Sequence, residues 1–260
     1  MTIHLRPAAL LGVGLVSLSA AAEIRDVLKS AEIETQLART TRDQALHERP
    51  NYAIWLKVHS GKPGPPESHP DADDVLWIRR GSGTVTLGER GHAVGAGDVI
   101  FIERNVRHQI DPGAGRLEYV VVRVFPTGEN LPPRAGFLAP RRMPDLLKKS
   151  EIDANQPLHS GRNFTMNYVI YSGRSGPYEA HRGCVDIYLL QVGTGVAHLG
   201  GQIVSPTEES PGEIRGTEVT GSRTYNIGPG DLVVIPRHGV HHMKPAAPKL
   251  GYLLVKVWAE

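Results

Sequence analysis

The sequence predicts an all-β protein built as two small antiparallel barrels or sandwiches with short flanking helices. Three observations carry that reading. The first is a repeat: Gly61, Glu67, His69, Asp74 and Gly81 recur as Gly173, Glu179, His181, Asp186 and Gly193, with 173−61, 179−67, 181−69, 186−74 and 193−81 all equal to 112. The second lies downstream of each copy, where Gly97-Asp98 leads through an apolar run to His108 and Gly230-Asp231 leads through another to His241, 108−97 and 241−230 both being 11. The third is composition: 29 glycines and 20 prolines among 260 residues supply turns at a density that suits short strands rather than long helices.

Composition also bounds the function. A chain of 260 residues is long enough for two domains, each burying its own core. The net charge is +2 and Lys and Arg are scattered, so there is no basic stripe and nucleic acid is not expected as a partner. A single cysteine, Cys184, excludes an internal disulfide framework and reads as a small apolar filler. The N-terminus speaks to compartment. After His4 and Arg6 comes an apolar run, 7–18, then Ser19, Ala20, Ala21 and Ala22 before Glu23, the layout of a secretory signal peptide. That run is too short to span a bilayer. Residues 1–22 are therefore read as a leader, and the mature chain as periplasmic or secreted with no membrane partner after cleavage.

From 23 to 48, Ile24, Val27, Leu28, Ile33 and Leu37 recur at roughly helical spacing between charges, which predicts one or two amphipathic helices. The lead-in is itself repeated: Asp26-Val27-Leu28-Lys29 resembles Asp145-Leu146-Leu147-Lys148, and Glu32-Ile33-Glu34 resembles Glu151-Ile152-Asp153, with 145−26 and 151−32 both 119. Aromatic and β-branched content predicts strands over 51–59 and 163–171. Further short strands are predicted over 75–78, 84–87, 99–102 and 117–125, then over 187–192, 196–199, 232–235 and 250–258, each bounded by turn residues. The Pro-rich stretch 127–144 reads as a linker between an N-terminal domain, 23–126, and a C-terminal one, 145–260. One difference separates the halves. Gly81 to Gly97 is 97−81 = 16 positions and Gly193 to Gly230 is 230−193 = 37, so the second half carries 37−16 = 21 extra residues within 200–224, rich in Ser, Pro, Gly, Glu and Thr. They read as a surface loop or a protruding hairpin.

The repeated polar residues carry the chemistry. On a strand, Glu67 and His69 share a face, as do Glu179 and His181. An acid from the next strand, Asp74 or Asp186, and an imidazole from a third, His108 or His241, can converge with them inside a small barrel. Carboxylates and imidazoles gathered in an apolar interior are costly unless a cation sits among them, and a divalent metal is the simplest one. All eight residues are thus candidate metal ligands. In a second arrangement His69, His108 and Asp74, with His181, His241 and Asp186 in the other half, form two-His, one-carboxylate triads suited to iron(II) and oxygen, leaving Glu67 and Glu179 as general bases. The shorter Asp side chain would then reach the ion through water. Tyr188 shares a face with Asp186, and Arg80 with Asp74; Arg80 could hold an anion or extend to solvent.

At these residues the chain resembles a two-domain cupin, a bicupin. The family's first motif, G-x5-H-x-H-x4-E-x6-G, is matched by Gly61, Glu67, His69, Asp74 and Gly81 and again by Gly173, Glu179, His181, Asp186 and Gly193. Its second motif, G-x5-P-x-G-x2-H, reads here as Gly97, Glu103, Asn105 and His108 and then as Gly230, Pro236, His238 and His241, the spacing being kept in both halves and the proline only in the second. From about Asn51 onward the resemblance implies two double-stranded β-helix, or jelly-roll, barrels. It implies one divalent metal, Mn, Fe or Zn, per domain, and a small-molecule ligand or substrate. Each half departs from the pattern in having Glu for the first His and Asp for the Glu. With a divalent ion two imidazoles and two carboxylates leave a neutral site, a weaker Lewis acid biased toward harder ions. The reactions implied are dioxygenase, decarboxylase or isomerase chemistry on a small polar organic molecule. The resemblance also admits a non-catalytic small-ligand or metal-binding module. Helical extensions in the family pack into larger assemblies, which makes 23–48 a candidate homo-oligomer interface.

Overall fold

Apolar residues on both faces of a strand call for burial on both sides, and several strands here have them. The structure, a computed structural model, describes residues 27–125, 135–138, 154–160, 163–173, 175–246 and 248–258. The leader reading at 1–22 and the repeated phrase at 145–153 lie outside the described residues. The first half runs β1 (Val27–Leu28), α1 (Ser30–Arg39), β2 (Gln44–Arg49), β3 (Tyr52–Ser60), β4 (Asp73–Arg80), β5 (Ser82–Leu87), β6 (Arg90–Gly95), β7 (Val99–Ile102), β8 (His108–Asp111) and β9 (Arg116–Val124), and β10 (Ala135–Leu138) follows it. The second half runs β11 (Ala154–Ser160), β12 (Phe164–Tyr171), β13 (Tyr178–His181), β14 (Cys184–Val192), β15 (Gly195–Leu199), β16 (Gln202–Val204), β17 (Thr207–Ser210), β18 (Glu213–Gly216), β19 (Glu218–Thr220), β20 (Arg223–Ile227), β21 (Leu232–Ile235), β22 (His241–Pro245) and β23 (Leu250–Trp258). The all-β expectation holds, with α1 as the helix among the described residues.

Each half is two sheets face to face. In the first, a six-stranded sheet ordered β10-β7-β4-β9-β3-β2 faces a three-stranded one ordered β6-β5-β8. In the second, β1-β21-β14-β23-β12-β11 faces β17-β18-β13-β22-β15-β20. Alternation then sorts the side chains. Leu76, Ile78, Leu117, Tyr119 and Val121 point between the two sheets of the first half, and Tyr188, Leu190, Tyr252 and Leu254 do the same in the second. Their neighbours Val75, Trp77, Val120 and Val122 point the other way, where they join Val185, Ile187, Leu189, Val255 and Val257 in one cluster. The halves therefore do not merely bury separate cores. Their large sheets stand back to back over a shared one.

Helix α1 seals this seam. Ile33 and Leu37, one turn apart, are fully buried in the shared core. The Asp231 carboxylate of the second half accepts the Ser30 N–H at 2.7 Å, placing negative charge at the helix N-terminus. Arg79 lies buried in the seam over the Trp77 ring and donates to the Gly230 carbonyl at 2.6 Å. Arg80 pairs with Glu34 at 2.8 Å and extends to solvent at the strand end.

Two expectations need correction. Among the described residues of the lead-in, helix occupies 30–39, and 44–49 is strand, because it pairs with β3 from Gln44↔Leu56 to Arg49↔Tyr52. The stretch read as linker contains β10, which pairs with β7. Strand β1 does the equivalent on the other half: Val27↔Val233 and Leu28↔Leu232 match Phe137↔Ile100 and Leu138↔Val99, since 233−100 and 232−99 are both 133. The lead-in strand of each half thus extends the sheet of the other.

The motif glycines have a steric cause. Gly81 and Gly193 have φ of +83° and +73°, and a Cβ there would lie 1.9 Å from the Arg116 carbonyl oxygen and 1.8 Å from that of Lys249. No helix among the described residues is long and apolar enough to cross a membrane. The shared core yields a prediction. Residues 27–138 expressed alone expose Val75, Trp77 and Val122, and size-exclusion chromatography is expected to show aggregation or self-association; a folded monomeric half would contradict the packing described.

Candidate metal centre

Two side-chain clusters sit at matching ends of the two sandwiches. In the first, Glu67 lies opposite His108 through a two-way backbone bridge, Glu67 N–H to the His108 carbonyl at 2.9 Å and the reverse at 2.8 Å. Two residues on, the His69 carbonyl accepts the Asn105 N–H at 2.8 Å. Asn105 has φ of +64°, the left-handed turn position where the cupin motif has Gly. The second cluster repeats this: Glu179 pairs with His241 in the ladder, and the His181 carbonyl accepts from His238, φ +63°, at 2.8 Å. The exposed His238 is thus a turn residue. Backbone bonding alone brings glutamate and both imidazoles to one point.

The ring geometry is the same in both. His69 and His108 have centroids 5.2 Å apart at 58°, His181 and His241 5.2 Å apart at 54°. His108 Nδ1 lies 3.0 Å from the Val106 carbonyl, and His241 Nδ1 lies 3.0 Å from that of Gly239. A carbonyl can only accept, so the proton of the neutral ring sits on Nδ1 and the Nε2 lone pair faces the cluster, the tautomer a metal ligand needs. Ligand atoms of Glu67, His69 and His108 all lie within 4.8 Å of one another, and so do those of Glu179, His181 and His241. Two His/Glu groups could therefore hold a metal ion. Buried His69 Nε2 in the first cluster and His241 Nε2 in the second have no hydrogen-bond partner, as expected of nitrogens reserved for a metal.

The aspartates adjoin these sets but differ in their own partners. Arg123, facing inward from β9, donates from Nε to Asp74 Oδ1 at 2.7 Å and from Nη2 to Oδ2 at 2.6 Å, a two-pronged pair that occupies both oxygens. His69 Nε2 is 3.7 Å from Asp74 and 3.9 Å from Glu67. In the second half Asp186 is buried, 3.3 Å from His181 and 3.6 Å from His241, and accepts from the Tyr188 hydroxyl at 3.1 Å. Glu67 and Glu179 complete the two sets whose ligand atoms lie within 4.8 Å of one another, and Asp74 and Asp186 stand as close to the imidazoles, each with a basic side chain beside it. The charge count changes too. With Asp74 offset by Arg123, a divalent ion with Glu67 would leave the first site at one positive charge rather than neutral.

The electrostatics follow from these contacts. The His108 imidazole beside Glu67 holds that carboxyl down at about 2. Burial pushes His69 below the usual imidazole range. Burial acts the same way on His108 and His241, but Glu67 and Glu179 outweigh it and both rings are raised. Burial pushes Glu179 up, and the adjoining His241 reverses this. Asp186, too, is held well below the carboxylate range, because its cationic and imidazole neighbours overcome burial.

Residues 54–123 match the family described as cupin domain. Among solved structures, a cupin 2 conserved barrel domain protein from Leptotrichia buccalis superposes with TM-score 0.64 at 14% identity, covering 91% of this chain and 98% of its own. The chain has a cupin fold. Salicylate 1,2-dioxygenase from Pseudaminobacter salicylatoxidans gives TM-score 0.68 at 8% identity over 89% of this chain and 83% of that one. Its adducts with gentisate give TM-score 0.65 at 8% identity, with 89% and 80% covered. No curated protein matches. At such identities the likeness is one of cupin fold.

Sequence reading missed Arg123, Lys256, Glu213 and Arg215. A signal for the first two was present: in Leu117, Tyr119, Val121, Arg123 and in Leu250, Tyr252, Leu254, Lys256 the inward alternation ends on a base, and 256−123 is again 133. Glu213 and Arg215 lie in the insertion, which has no counterpart to compare. There β18 joins β13 with His181↔Glu213 and Glu179↔Arg215, so the extra segment extends the sheet bearing the site.

Arg123→Gln strands a nearly buried Asp74 and is expected to cost about 3 kcal/mol of stability by urea denaturation, with Asp74→Asn in the same chain recovering part of it. Equal stability of the single variant and the parent would show the pair is dispensable.

Proposed function

We propose that the chain is a metal-dependent cupin enzyme acting on a small polar organic molecule, with its working metal at Glu67, His69 and His108. The equivalent donors Glu179, His181 and His241 form a second group. The observation that carries this reading is the tautomer lock: Val106 holds the His108 proton on Nδ1, turning Nε2 toward Glu67 and His69. Of the reactions open to the fold, oxygen-dependent cleavage is favoured. Two imidazoles and one carboxylate leave coordination positions free, the arrangement suited to iron(II), with manganese as the closest hard alternative. The likeness to salicylate 1,2-dioxygenase and its gentisate adducts supports a small hydroxy acid as the substrate class.

A bound divalent ion would supply Lewis acidity and, as iron(II), electrons for oxygen. The protein's part is positioning. His108 holds the Glu67 carboxyl at about 2, which keeps it ionised well into the acid range, and the Arg123 fork engages both oxygens of Asp74. The Glu67 side chain is 39% exposed, against 24% for Glu179, so the first site is the more open to an incoming molecule. The leader layout at 1–22 supports export as the setting of this activity.

The test loads apoprotein with iron(II) or manganese and follows oxygen uptake with salicylate, gentisate and related hydroxy acids. Glu67→Ala and His108→Ala are expected to lose first-site metal and turnover, while Asp74→Asn keeps its metal with affinity weakened no more than about 10–100-fold, as for an outer partner. Metal retained in Glu67→Ala but lost in Asp74→Asn would overturn the ligand assignment. Metal bound tightly with no turnover of any hydroxy acid would leave a binding module. Loading should also weaken as pH falls through the raised pKa of His108, since the proton on Nε2 must leave before a metal binds.

A further inference from the structure

The two clusters share their donors but not the cation beside them. In the first half the cation is Arg123, whose planar fork is committed to Asp74 and leaves His69 Nε2 without a hydrogen-bond partner. In the second half the matching inward position on β23 is Lys256, a compact charge on a flexible stem that cannot form a fork. Its Nζ lies 3.0 Å from His181 Nε2 and 3.6 Å from Asp186 Oδ2. On the other edge of the ring, Glu213 from the inserted hairpin lies 2.8 Å from His181 Nδ1. An ammonium can only donate, so the Nε2 lone pair is its acceptor, and the Glu213 carboxylate, within ion-pair range of Nδ1 though outside hydrogen-bond geometry, attracts the ring proton to that edge. That lone pair is the one a metal would need.

We propose that the Lys256 ammonium fills the cation place of the second group, so that the chain loads one metal ion, in the first half. Lys256 is a specificity-determining residue for metal loading, and this rests on the metal reading of the first half. Three further observations fit. The surrounding carboxylates of Asp186, Glu179 and Glu213 already have a positive partner in Lys256, whose ammonium they stabilise against burial. Arg215, 3.7 Å from Glu179, draws on the remaining carboxylate of the donor set. The second cluster is also the more closed: His181 is 4% and His241 1% exposed, against 20% for His69. A metal entering there would have to displace the Lys256 ammonium from between His181 and Asp186.

The experiment is elemental analysis of the full chain after equilibration with manganese(II) and removal of unbound ion. The parent is expected to hold one equivalent, His69→Ala none, and His181→Ala still one. Lys256→Met should rise to two, and adding His181→Ala to it should return it to one. Because Lys256→Met unpairs Asp186 and could impair folding, Asp186→Asn with Lys256→Met serves as a charge-balanced second variant with the same expectation. Two equivalents in the parent, falling to one in His181→Ala, would overturn the inference and leave the metal reading intact. No metal in the parent or in either Lys256 variant would overturn both.

Discussion

Everything at the two sites depends on which way strand β4 and its counterpart β14 face. Val75 and Trp77 are locked into the shared core between the large sheets, and alternation then forces Asp74 to the opposite face. A slip of one residue would turn Asp74 into the seam and a valine or tryptophan toward the imidazoles. The same holds for Ile187 and Leu189 against Asp186 and Tyr188. Register is thus held by hydrophobic burial on one face, and polar chemistry on the other face inherits its accuracy. The reciprocal strands β1 and β10 add to this by tying each half's edge to the other half's lead-in.

Given that register, the sites differ through the base at the end of one inward row. Arginine and lysine carry the same charge but not the same geometry. The guanidinium at 123 matches the two oxygens of Asp74 and is held there, near the Trp55 ring at 5.0 Å. The ammonium at 256 has no such match, and it settles between His181 and Asp186. Duplication copied the donors faithfully. The base beside the donors differs, and in the second half the inserted strand β18 lies along β13.

The fold was legible because its signals were local and repeated. Motif spacing with constant offsets, glycines at left-handed turns and runs such as 99–102 and 232–235 located strands that the structure has over the same residues. Strands β8, β13 and β22 are legible only through the site residues His108, Glu179, His181 and His241 that they carry, since they are short and lack an apolar pattern that would give their bounds. The lead-in was read as helical through residue 48 because Ile33 and Leu37 have helical spacing, but pairing to β3 decides β2 and lies beyond local pattern. Of the site, the gathering of Glu67, His69 and His108 followed from motif spacing. That Asp74 would be drawn off by Arg123 required knowing that β9 lies beside β4, Asp74↔Arg123, information that no local window contains.

The most direct measurement is a crystal structure of the full chain soaked with manganese(II), with anomalous scattering recorded to locate the ion. The account predicts a peak among Glu67, His69 Nε2 and His108 Nε2, with His nitrogens at about 2.0–2.3 Å, while Asp74 stays on Arg123. An ion bound through Asp74 with Glu67 turned to solvent, or no ion between the two imidazoles at saturating manganese, would contradict it.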